Sequence, residues 1–315
     1  MRSPTVLVFH PEPTQARAYV DLIRLPKRGM TVGAASTAEE AAGIIGESEV
    51  LYGWKVPPTI YSRAPKLRWV QVMGAGIERF LVPELPPRVR MTRIGGVFGP
   101  WMAEYTVGWC LWVTQRIDLF KRLQQERRWN PVDTLRLAGT TLTIVGLGEI
   151  GGDIARSARR LGMRIIGVTR GGKPLREAER IYRPRDVKAA LAPADFVVLT
   201  VPLSAETLGM ISEAELAAMK PSAWLINIAR GPVVDEKALI AALRARTIAG
   251  AVLDVFNEEP LPPEHPFWTL DNVAITPHIA GPSMAAEITP IFNDNLRRYA
   301  KGLPLRFLVN RNRGY

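Results

Sequence analysis

A histidine at the end of a predicted strand offers acid–base chemistry. The apolar run Val273–Thr276 is followed by Pro277 and His278, which places the imidazole at the carboxyl end of that strand. Open α/β sheets bind their ligands at this edge, and imidazole titrates near neutral pH. We therefore take His278 as the acid–base candidate, with a structural histidine as the alternative. His10 follows the first predicted strand and His265 lies in a proline-rich loop.

Two more predicted strands lead into charged groups. The run 224–229 leads into Arg230, and the run 250–255 leads into a loop that carries Glu258 and Glu259. A guanidinium at such an edge suits a carboxylate-bearing substrate, and a carboxylate near an imidazole raises its pKa and fixes its tautomer. The alternatives are an ion-paired structural arginine and a plain loop carboxylate. Chemistry alone does not separate Glu259 from Glu258.

A glycine motif follows the strand predicted at 141–145 and opens a helix that extends to Gly162; it reads Gly146-Leu147-Gly148-Glu149-Ile150-Gly151. In this context the first glycine permits a tight turn, the second lets a pyrophosphate approach the backbone, and the third lets the helix pack on the strand. The helix N-terminus supplies amide donors and a partial positive charge. The motif predicts a dinucleotide site, with an ordinary glycine-rich turn as the alternative.

The end of the next strand indicates which dinucleotide is bound. An NAD site usually places Asp or Glu there, about 20 residues on, to bind the ribose 2′-hydroxyl. Here Arg170 stands nineteen residues after Gly151, and Lys173 follows as a second cation. A guanidinium suits a 2′-phosphate, so we predict that NADP(H) is preferred and that NAD(H) is the second choice. A plain surface arginine is the alternative.

The elements that must position these groups alternate between strand and helix. In the second half of the chain this alternation predicts a parallel sheet covered by helices on both faces, with strands at 141–145, 164–169, 196–201, 224–229, 250–255 and 273–276. The first hundred residues hold shorter units, with strands at 5–9, 50–54 and 67–73 and a helix at 38–45. One long helix is predicted over Trp101–Arg128, and the last helix over 284–301.

Helix starts are marked by capping residues. Ser212 followed by Glu215 predicts a capping box, and Asp235 predicts an N-cap for a helix to about Arg244.

The composition excludes several classes of protein. A length of 315 residues indicates two domains, and no apolar run approaches the ~20 residues of a membrane helix. The apolar start is too short for a signal peptide and is interpreted as a first strand. One cysteine, Cys110, leaves no internal disulfide and no cysteine zinc cluster. We therefore predict a cytoplasmic protein without a metal.

The net charge of +11 raises nucleic-acid binding as a hypothesis. The basic residues are dispersed, however, and the longest basic runs are pairs such as Arg127-Arg128. This pattern favours a basic surface, or the handling of small anions, over a nucleic-acid partner.

Four segments together carry a family resemblance: GLGEIG (146–151), NIARG (227–231), DVFNEEPLP (254–262) and TPHIAG (276–281). In their order and spacing the chain resembles the D-isomer-specific 2-hydroxyacid dehydrogenases over essentially its whole length, and it looks most similar to their bacterial glyoxylate/hydroxypyruvate reductase A group. The resemblance implies two doubly wound parallel-sheet α/β domains. A Rossmann NADP-binding domain (100–284) would be inserted into a flavodoxin-like substrate domain (1–99 plus 285–315).

The resemblance also implies roles for single residues. Arg230 would bind the substrate carboxylate and carbonyl oxygen, His278 would donate the proton, and Glu259 would be its partner. From the residues and the resemblance together, the expected cofactor contacts are Gly146, Gly148, Glu149, Ile150, Gly151, Arg170, Lys173, Val201, Pro202, Thr207, Ile228, Ala229 and Asp254. The expected substrate contacts, from the resemblance alone, are Trp54, Gly74, Ala75, Gly76 and Met102.

The implied reaction is NADPH-dependent reduction of a small 2-oxo acid, glyoxylate or hydroxypyruvate, to the D-2-hydroxy acid. The family further implies a homodimer, in which Trp129 reaches the neighbouring subunit; packing at a helix end would explain Trp129 equally well. Two other functions stay open at this point. One is reduction of a bulkier 2-oxo acid such as an aryl-pyruvate, and the other is a cofactor-sensing, corepressor-like binding module.

Overall fold

A computed structural model describes residues 6–171 and 175–311. The strands of this part of the chain are β1 (Val6–Phe9), β2 (Val32–Ala35), β3 (Val50–Gly53), β4 (Trp69–Val72), β5 (Arg90–Thr92), β6 (Thr141–Val145), β7 (Arg164–Val168), β8 (Arg180–Tyr182), β9 (Phe196–Leu199), β10 (Trp224–Asn227), β11 (Gly250–Leu253) and β12 (Val273–Ile275). Its α-helices are α1 (Pro13–Leu22), α2 (Ala38–Ile45), α3 (Phe98–Thr114), α4 (Ile117–Gln125), α5 (Glu149–Arg160), α6 (Val187–Leu191), α7 (Glu213–Ala217), α8 (Glu236–Arg244) and α9 (Ala285–Ala300).

The chain divides into two compact units. One comprises Met1–Val97 and Ser283–Tyr315, and the other comprises Phe98–Pro282. Each unit is built on one parallel sheet with helices packed against it, so the predicted α/β fold class is confirmed.

The first unit holds a five-stranded sheet in the order β2-β1-β3-β4-β5, in which all pairs are parallel. This is the flavodoxin-like strand order 2-1-3-4-5. β1, β3 and β4 are buried along their whole length, as expected when helices cover both faces. The last helix returns to this unit: Phe292 of α9 stacks on Tyr52 of β3, with ring centroids 4.2 Å apart.

The second unit holds a seven-stranded parallel sheet in the order β12-β11-β10-β9-β6-β7-β8. Counted within the unit, this is the Rossmann order 3-2-1-4-5-6 with one further strand beside the sixth. Alternate side chains of β9 enter different cores: Val197 and Leu199 lie in one buried cluster, and Phe196 and Val198 lie in another. The strand order reverses at the β6–β9 pair, and a crevice is expected at the carboxyl ends there.

The helix predicted over Trp101–Arg128 is wrong as a single element. α3 begins earlier, and Arg116 adopts a left-handed backbone with φ 51° before α4 begins. The physical reason lies in a distant segment: the N–H of Leu135 donates to the carbonyl of Thr114 at 2.9 Å. The side-chain amide of Gln115 also donates to the carbonyl of Leu135 at 2.9 Å. These bonds satisfy the end of α3 without a continuing helix.

The other predicted elements of the second unit are found close to their expected places. Its six predicted strands are present, and five of them end one or two residues earlier than expected because the chain turns there into loops. β8 was not predicted, because its three residues begin with an exposed arginine and form no apolar run. In the described part of the chain no helix combines the length and the apolar character needed to cross a bilayer.

Candidate active site

His278 and Glu259 form a hydrogen-bonded pair beyond the carboxyl ends of β11 and β12. Nδ1 of His278 lies 2.9 Å from Oε2 of Glu259. The other carboxylate oxygen of Glu259 accepts the backbone N–H of Phe256 at 3.1 Å, which holds the carboxylate in place. The His278 side chain is 45% exposed, so a substrate can reach the ring. The contact involves Glu259, whereas the sequence left Glu258 equally eligible.

The charge on Glu259 is favoured by its neighbours. Partial burial by itself raises the pKa of Glu259, but the hydrogen bonds to His278 and to the N–H of Phe256 lower it, as do the charges of His278 and Arg230. The net effect is a pKa below the usual value. An ionised carboxylate can only accept, so Nδ1 of His278 carries a proton and donates it. Nε2 is then the ring nitrogen that can serve a substrate.

The loop that carries His278 is wrapped around the carboxylate of Asp254, which is 1% exposed. One oxygen accepts the hydroxyl of Thr276 (2.6 Å) and the N–H of Ile279 (2.8 Å), and the other accepts the N–H of Ala280 (2.9 Å). The backbone carbonyl of Asp254 accepts the N–H of His278 at 2.9 Å. Burial raises the pKa of Asp254, and these hydrogen bonds only partly oppose the rise.

This enclosure fixes an unusual backbone at His278, whose φ is 55°. A non-glycine residue in the left-handed region needs support from its surroundings, and the bonds to Asp254 supply it. Asp254 therefore positions the imidazole. That it also contacts the cofactor stays a prediction.

Tyr105 of α3 extends the same network and was missed by the sequence analysis. Its hydroxyl lies 2.6 Å from Oγ1 of Thr276 and donates to it, because the Thr276 hydroxyl itself donates to Asp254. Burial raises the pKa of the Tyr105 phenol well above its ordinary value. One signal was available: Tyr105 lies three residues after Met102, and such residues share a helix face.

Arg230 follows β10, and its loop is held against the loop after β11. The side chain of Asn227 is buried and bridges the turn, since its amide donates to the Arg230 carbonyl (3.1 Å) and its oxygen accepts the N–H of Ala229 (3.1 Å). A Cβ on Gly231 would lie 2.1 Å from the backbone carbon of Phe256, so only glycine permits this approach. Ile228 and Ala229, expected beside the cofactor, are 3% and 4% exposed.

The glycine motif forms a cradle between β6 and α5. Gly146 has φ +107°, and a Cβ there would lie 2.8 Å from the backbone of Thr200 and Val201. Gly148 is the N-cap of α5, and no side chain caps the helix. A Cβ built at Gly148 would meet nothing closer than a carbonyl oxygen 4.0 Å away, so the space above it is open.

Such a cradle fits a dinucleotide pyrophosphate, which takes its hydrogen bonds from the amides of a helix N-terminus. Glu149 and Ile150 stand in the first turn of α5, and Gly151 is buried behind them. The residues present therefore suit the phosphate group that the motif predicts.

Two loops flank the cradle. After β7, Nη1 of Arg170 lies 3.0 Å from Oε2 of Glu206, which belongs to the loop after β9. In that second loop the hydroxyl of Thr207 donates to the carbonyl of Pro202 at 2.6 Å and accepts the N–H of Ser204 at 2.8 Å. Val201 of the same loop is half-buried. Lys173 lies outside the described residues.

The expected substrate contacts fall in both units. In the first unit Trp54 packs over Gly74: a Cβ built there would lie 2.8 Å from the indole ring. Ala75 and Gly76 follow it in a partly exposed loop after β4. In the second unit Met102 lies against Gly281, which follows His278 by three residues. A Cβ built at Gly281 would lie 3.4 Å from the Met102 sulfur.

The other two histidines each accept a backbone N–H. Nδ1 of His10 accepts the N–H of Glu12, and Nδ1 of His265 accepts the N–H of Phe267. Among residues 6–171 and 175–311, no three His, Cys, Asp or Glu side chains gather as a metal site would require.

Known proteins are similar to this chain in sequence and in fold. Residues 107–280 match the family model for the NAD-binding domain of D-isomer-specific 2-hydroxyacid dehydrogenases. A glyoxylate reductase from Thermofilum pendens is 36% identical over 270 residues, which span 82% of this chain and 79% of that protein. A glyoxylate/hydroxypyruvate reductase A from Escherichia fergusonii is 33% identical over 266 residues, 82% of this chain and 85% of that protein.

Among solved structures, an NADPH-dependent glyoxylate/hydroxypyruvate reductase from Sinorhizobium meliloti, in complex with NADP and sulfate, superposes with a TM-score of 0.91. Its sequence is 28% identical, and the match covers 99% of this chain and 100% of that one.

Proposed function

The chain belongs to the D-isomer-specific 2-hydroxyacid dehydrogenases, an NAD(P)-dependent enzyme family, and from this premise we propose that it reduces glyoxylate or hydroxypyruvate to the D-2-hydroxy acid with NADPH. The observation that carries the proposal is the His278–Glu259 pair, which stands at the carboxyl edge of the sheet that also bears the glycine cradle. A proton donor and a dinucleotide site on one sheet edge are what reduction of a carbonyl requires.

When bound, NADPH supplies a hydride to C2 of the 2-oxo acid. The carbonyl oxygen takes the matching proton from Nε2 of the His278 imidazolium as it becomes an alkoxide. Glu259, ionised and hydrogen-bonded to Nδ1, favours the charged imidazolium before the transfer and holds the ring in place. Asp254 and Thr276 fix the loop from which the ring projects.

Arg230 binds the substrate carboxylate in this proposal, because a guanidinium offers two parallel donors to a carboxylate. For the first unit the proposal adds that the backbone amides at 74–76 bind the same kind of group and that Trp54 limits the size of the substrate. In the second unit the proposal adds that Met102, beside Gly281, also limits the size of the substrate.

NADP(H) is the preferred cofactor in the proposal. Arg170 stands at the end of β7, where an acidic residue would receive the ribose of NAD, and a guanidinium there suits the 2′-phosphate. The structural relative from Sinorhizobium meliloti was solved with NADP, which supports this choice. Lys173, Val201, Pro202, Thr207 and the backbone at 228–229 complete the proposed cofactor contacts.

A cytoplasmic homodimer completes the proposal. The free Cys110 is buried in α3, as suits a reducing compartment. Trp129 is 99% exposed and offers a large apolar side chain to a second copy.

The test is a rate measurement at 340 nm with purified protein, glyoxylate or hydroxypyruvate, and either NADPH or NADH. We expect NADPH to be consumed faster than NADH with both acids. Consumption of NADH alone would overturn the role of Arg170 and leave the catalytic set in place. No turnover with either cofactor would overturn the proposed substrates, and a panel of bulkier 2-oxo acids would then be assayed.

A further inference from the structure

An ion pair joins the two loops that flank the glycine cradle. Arg170 follows β7 and Glu206 lies in the loop after β9, and the sheet order places β6 between those two strands. Their side chains meet with Nη1 and Oε2 3.0 Å apart. Because β6 leads directly into Gly146, the pair bridges the carboxyl end of the strand from which the cradle begins.

The loop that carries Glu206 is well defined. The hydroxyl of Thr207 bonds the carbonyl of Pro202 and the N–H of Ser204, and the N–H of Leu208 donates to the carbonyl of Ser204 at 2.9 Å. These bonds fix the main chain on both sides of Glu206. Its side chain is 68% exposed and is therefore accessible to a ligand.

A phosphate and a carboxylate compete for one guanidinium. The 2′-phosphate of NADP(H), brought to Arg170, would also be brought close to the carboxylate of Glu206, and like charges repel. A free ribose 2′-hydroxyl has no such conflict, since it is neutral and can donate to a carboxylate. NAD sites use an acidic side chain at the end of the second strand for this purpose. In this chain the acidic side chain is that of Glu206, which belongs to the loop after β9.

We propose that Glu206 is a specificity-determining residue that opposes the 2′-phosphate at Arg170 and so narrows the preference for NADP(H) over NAD(H). The inference rests on the proposed cofactor site and names the residue that sets its selectivity. Neutralising Glu206 would leave the guanidinium in place and remove the competing anion.

The experiment compares two probes that lack the nicotinamide: 2′,5′-ADP, which carries the 2′-phosphate, and 5′-AMP, which does not. Their dissociation constants are measured by calorimetry on the full-length protein without a 2-oxo acid. For Glu206→Gln we expect the ratio of the 5′-AMP constant to the 2′,5′-ADP constant to rise about three- to tenfold. The rise should shrink in 0.5 M salt, because exposed charges are screened.

Glu179→Gln is the matched control. Glu179 pairs with Arg159 at 2.7 Å and is 45% exposed. It stands just before β8, at the amino ends of the strands, whereas Arg170 and Glu206 follow the carboxyl ends of β7 and β9. The variant changes the net charge by the same amount, and we expect the ratio to stay at the wild-type value.

An unchanged or lower ratio in Glu206→Gln would overturn the inference, and so would an equal rise in Glu179→Gln, which would point to overall charge. If neither the wild type nor Glu206→Gln prefers 2′,5′-ADP, the inference falls together with the NADP preference. Failure of the proposed reaction is seen separately, as absence of turnover at 340 nm in a protein that still binds the probes.

Discussion

Nδ1 of His278 and Oε2 of Glu259 lie 2.9 Å apart although the two residues come from different loops. The loop after β11 supplies the carboxylate and the segment after β12 supplies the imidazole. β11 and β12 are neighbouring parallel strands, so their carboxyl ends meet at one edge of the sheet. The pair is thus a consequence of the strand order, and Nδ1 is the ring nitrogen of His278 that it engages.

Replacing His278 by alanine tests the proton donor. We expect kcat for reduction of the 2-oxo acid to fall by about 10²- to 10⁴-fold, since the alkoxide must then take its proton from water. The dissociation constant for NADPH, followed by nicotinamide fluorescence, should stay near the wild-type value. His10→Gln is the control and should keep full activity. Near-normal turnover of His278→Ala would remove His278 from the mechanism.

Glu259→Gln tests the partner of the imidazole. A glutamine keeps the size of the side chain but withdraws the negative charge that favours imidazolium. We expect kcat to fall by at least about tenfold, because the anionic acceptor of the Nδ1 proton is replaced by a neutral amide. Initial rates at saturating 2-oxo acid give kcat for each protein. An unaltered kcat in Glu259→Gln would show that the carboxylate does not support His278.

The same substitution makes a prediction about stability. The pKa of Glu259 is lowered in the folded protein, so its carboxylate contributes stability above the unfolded value near 4.5, and the contribution is lost as pH falls through the folded pKa. The wild type should therefore be more stable than Glu259→Gln at pH 7, and the difference should shrink below pH 4.5. Urea unfolding at both pH values measures it. A difference that grows on acidification would contradict the assigned shift.

Arg230→Ala tests the carboxylate anchor. A charge-assisted pair of hydrogen bonds is lost, so we expect KM for the 2-oxo acid to rise by about 10- to 100-fold. Arg185→Ala serves as the charge-matched control, because the Arg185 side chain is 81% exposed in a short 3₁₀ turn just before α6. Initial rates over a range of substrate concentrations give KM for each. An unchanged KM in Arg230→Ala would refute the anchor.

Features that depend on neighbouring residues were predictable from the sequence. Asp235 accepts the N–H of Ala238 at 3.1 Å as the N-cap of α8, and Glu215 accepts the N–H of Ser212 in the capping box of α7. The glycine motif likewise opens α5, because its turn geometry is encoded within six residues. These hydrogen bonds join residues that are close together in the sequence, so the types of those residues are enough to predict them.

Features that depend on distant contacts were not predictable. The break at Arg116 is set by Leu135, and no glycine or proline marks it. The strand order brings Glu206 to Arg170, and helix packing brings Tyr105 to Thr276. Neither the strand order nor the packing can be derived from a single sequence. That Glu259 and not Glu258 pairs with His278 likewise depends on how two distant loops meet.

Tyr105→Phe tests whether Tyr105 acts as a positioning residue for His278. The substitution removes one hydroxyl from the network, while Thr276 can still donate to Asp254. We expect kcat to fall by about two- to tenfold, the scale of one hydrogen bond, with KM and the NADPH dissociation constant unchanged. Tyr182→Phe, at the edge strand β8, is the control. A change in melting temperature with kcat unaltered would assign Tyr105 a structural role only.

Trp129→Ala tests the proposed dimer. Trp129 is 99% exposed and Leu135, in the same segment, is 62% exposed, and large exposed apolar side chains commonly mark a surface that a partner covers. We expect light scattering to give twice the chain mass of 34.9 kDa for the wild type. The dimer dissociation constant should rise by at least about tenfold in the variant, because buried tryptophans often dominate an interface.

Leu161→Ala is the control for this prediction. The Leu161 side chain is 45% exposed at the end of α5, and its loss should leave the dimer dissociation constant unaltered. A wild-type chain that stays monomeric at micromolar concentration would refute the dimer, and an unaltered constant in Trp129→Ala would place the interface elsewhere.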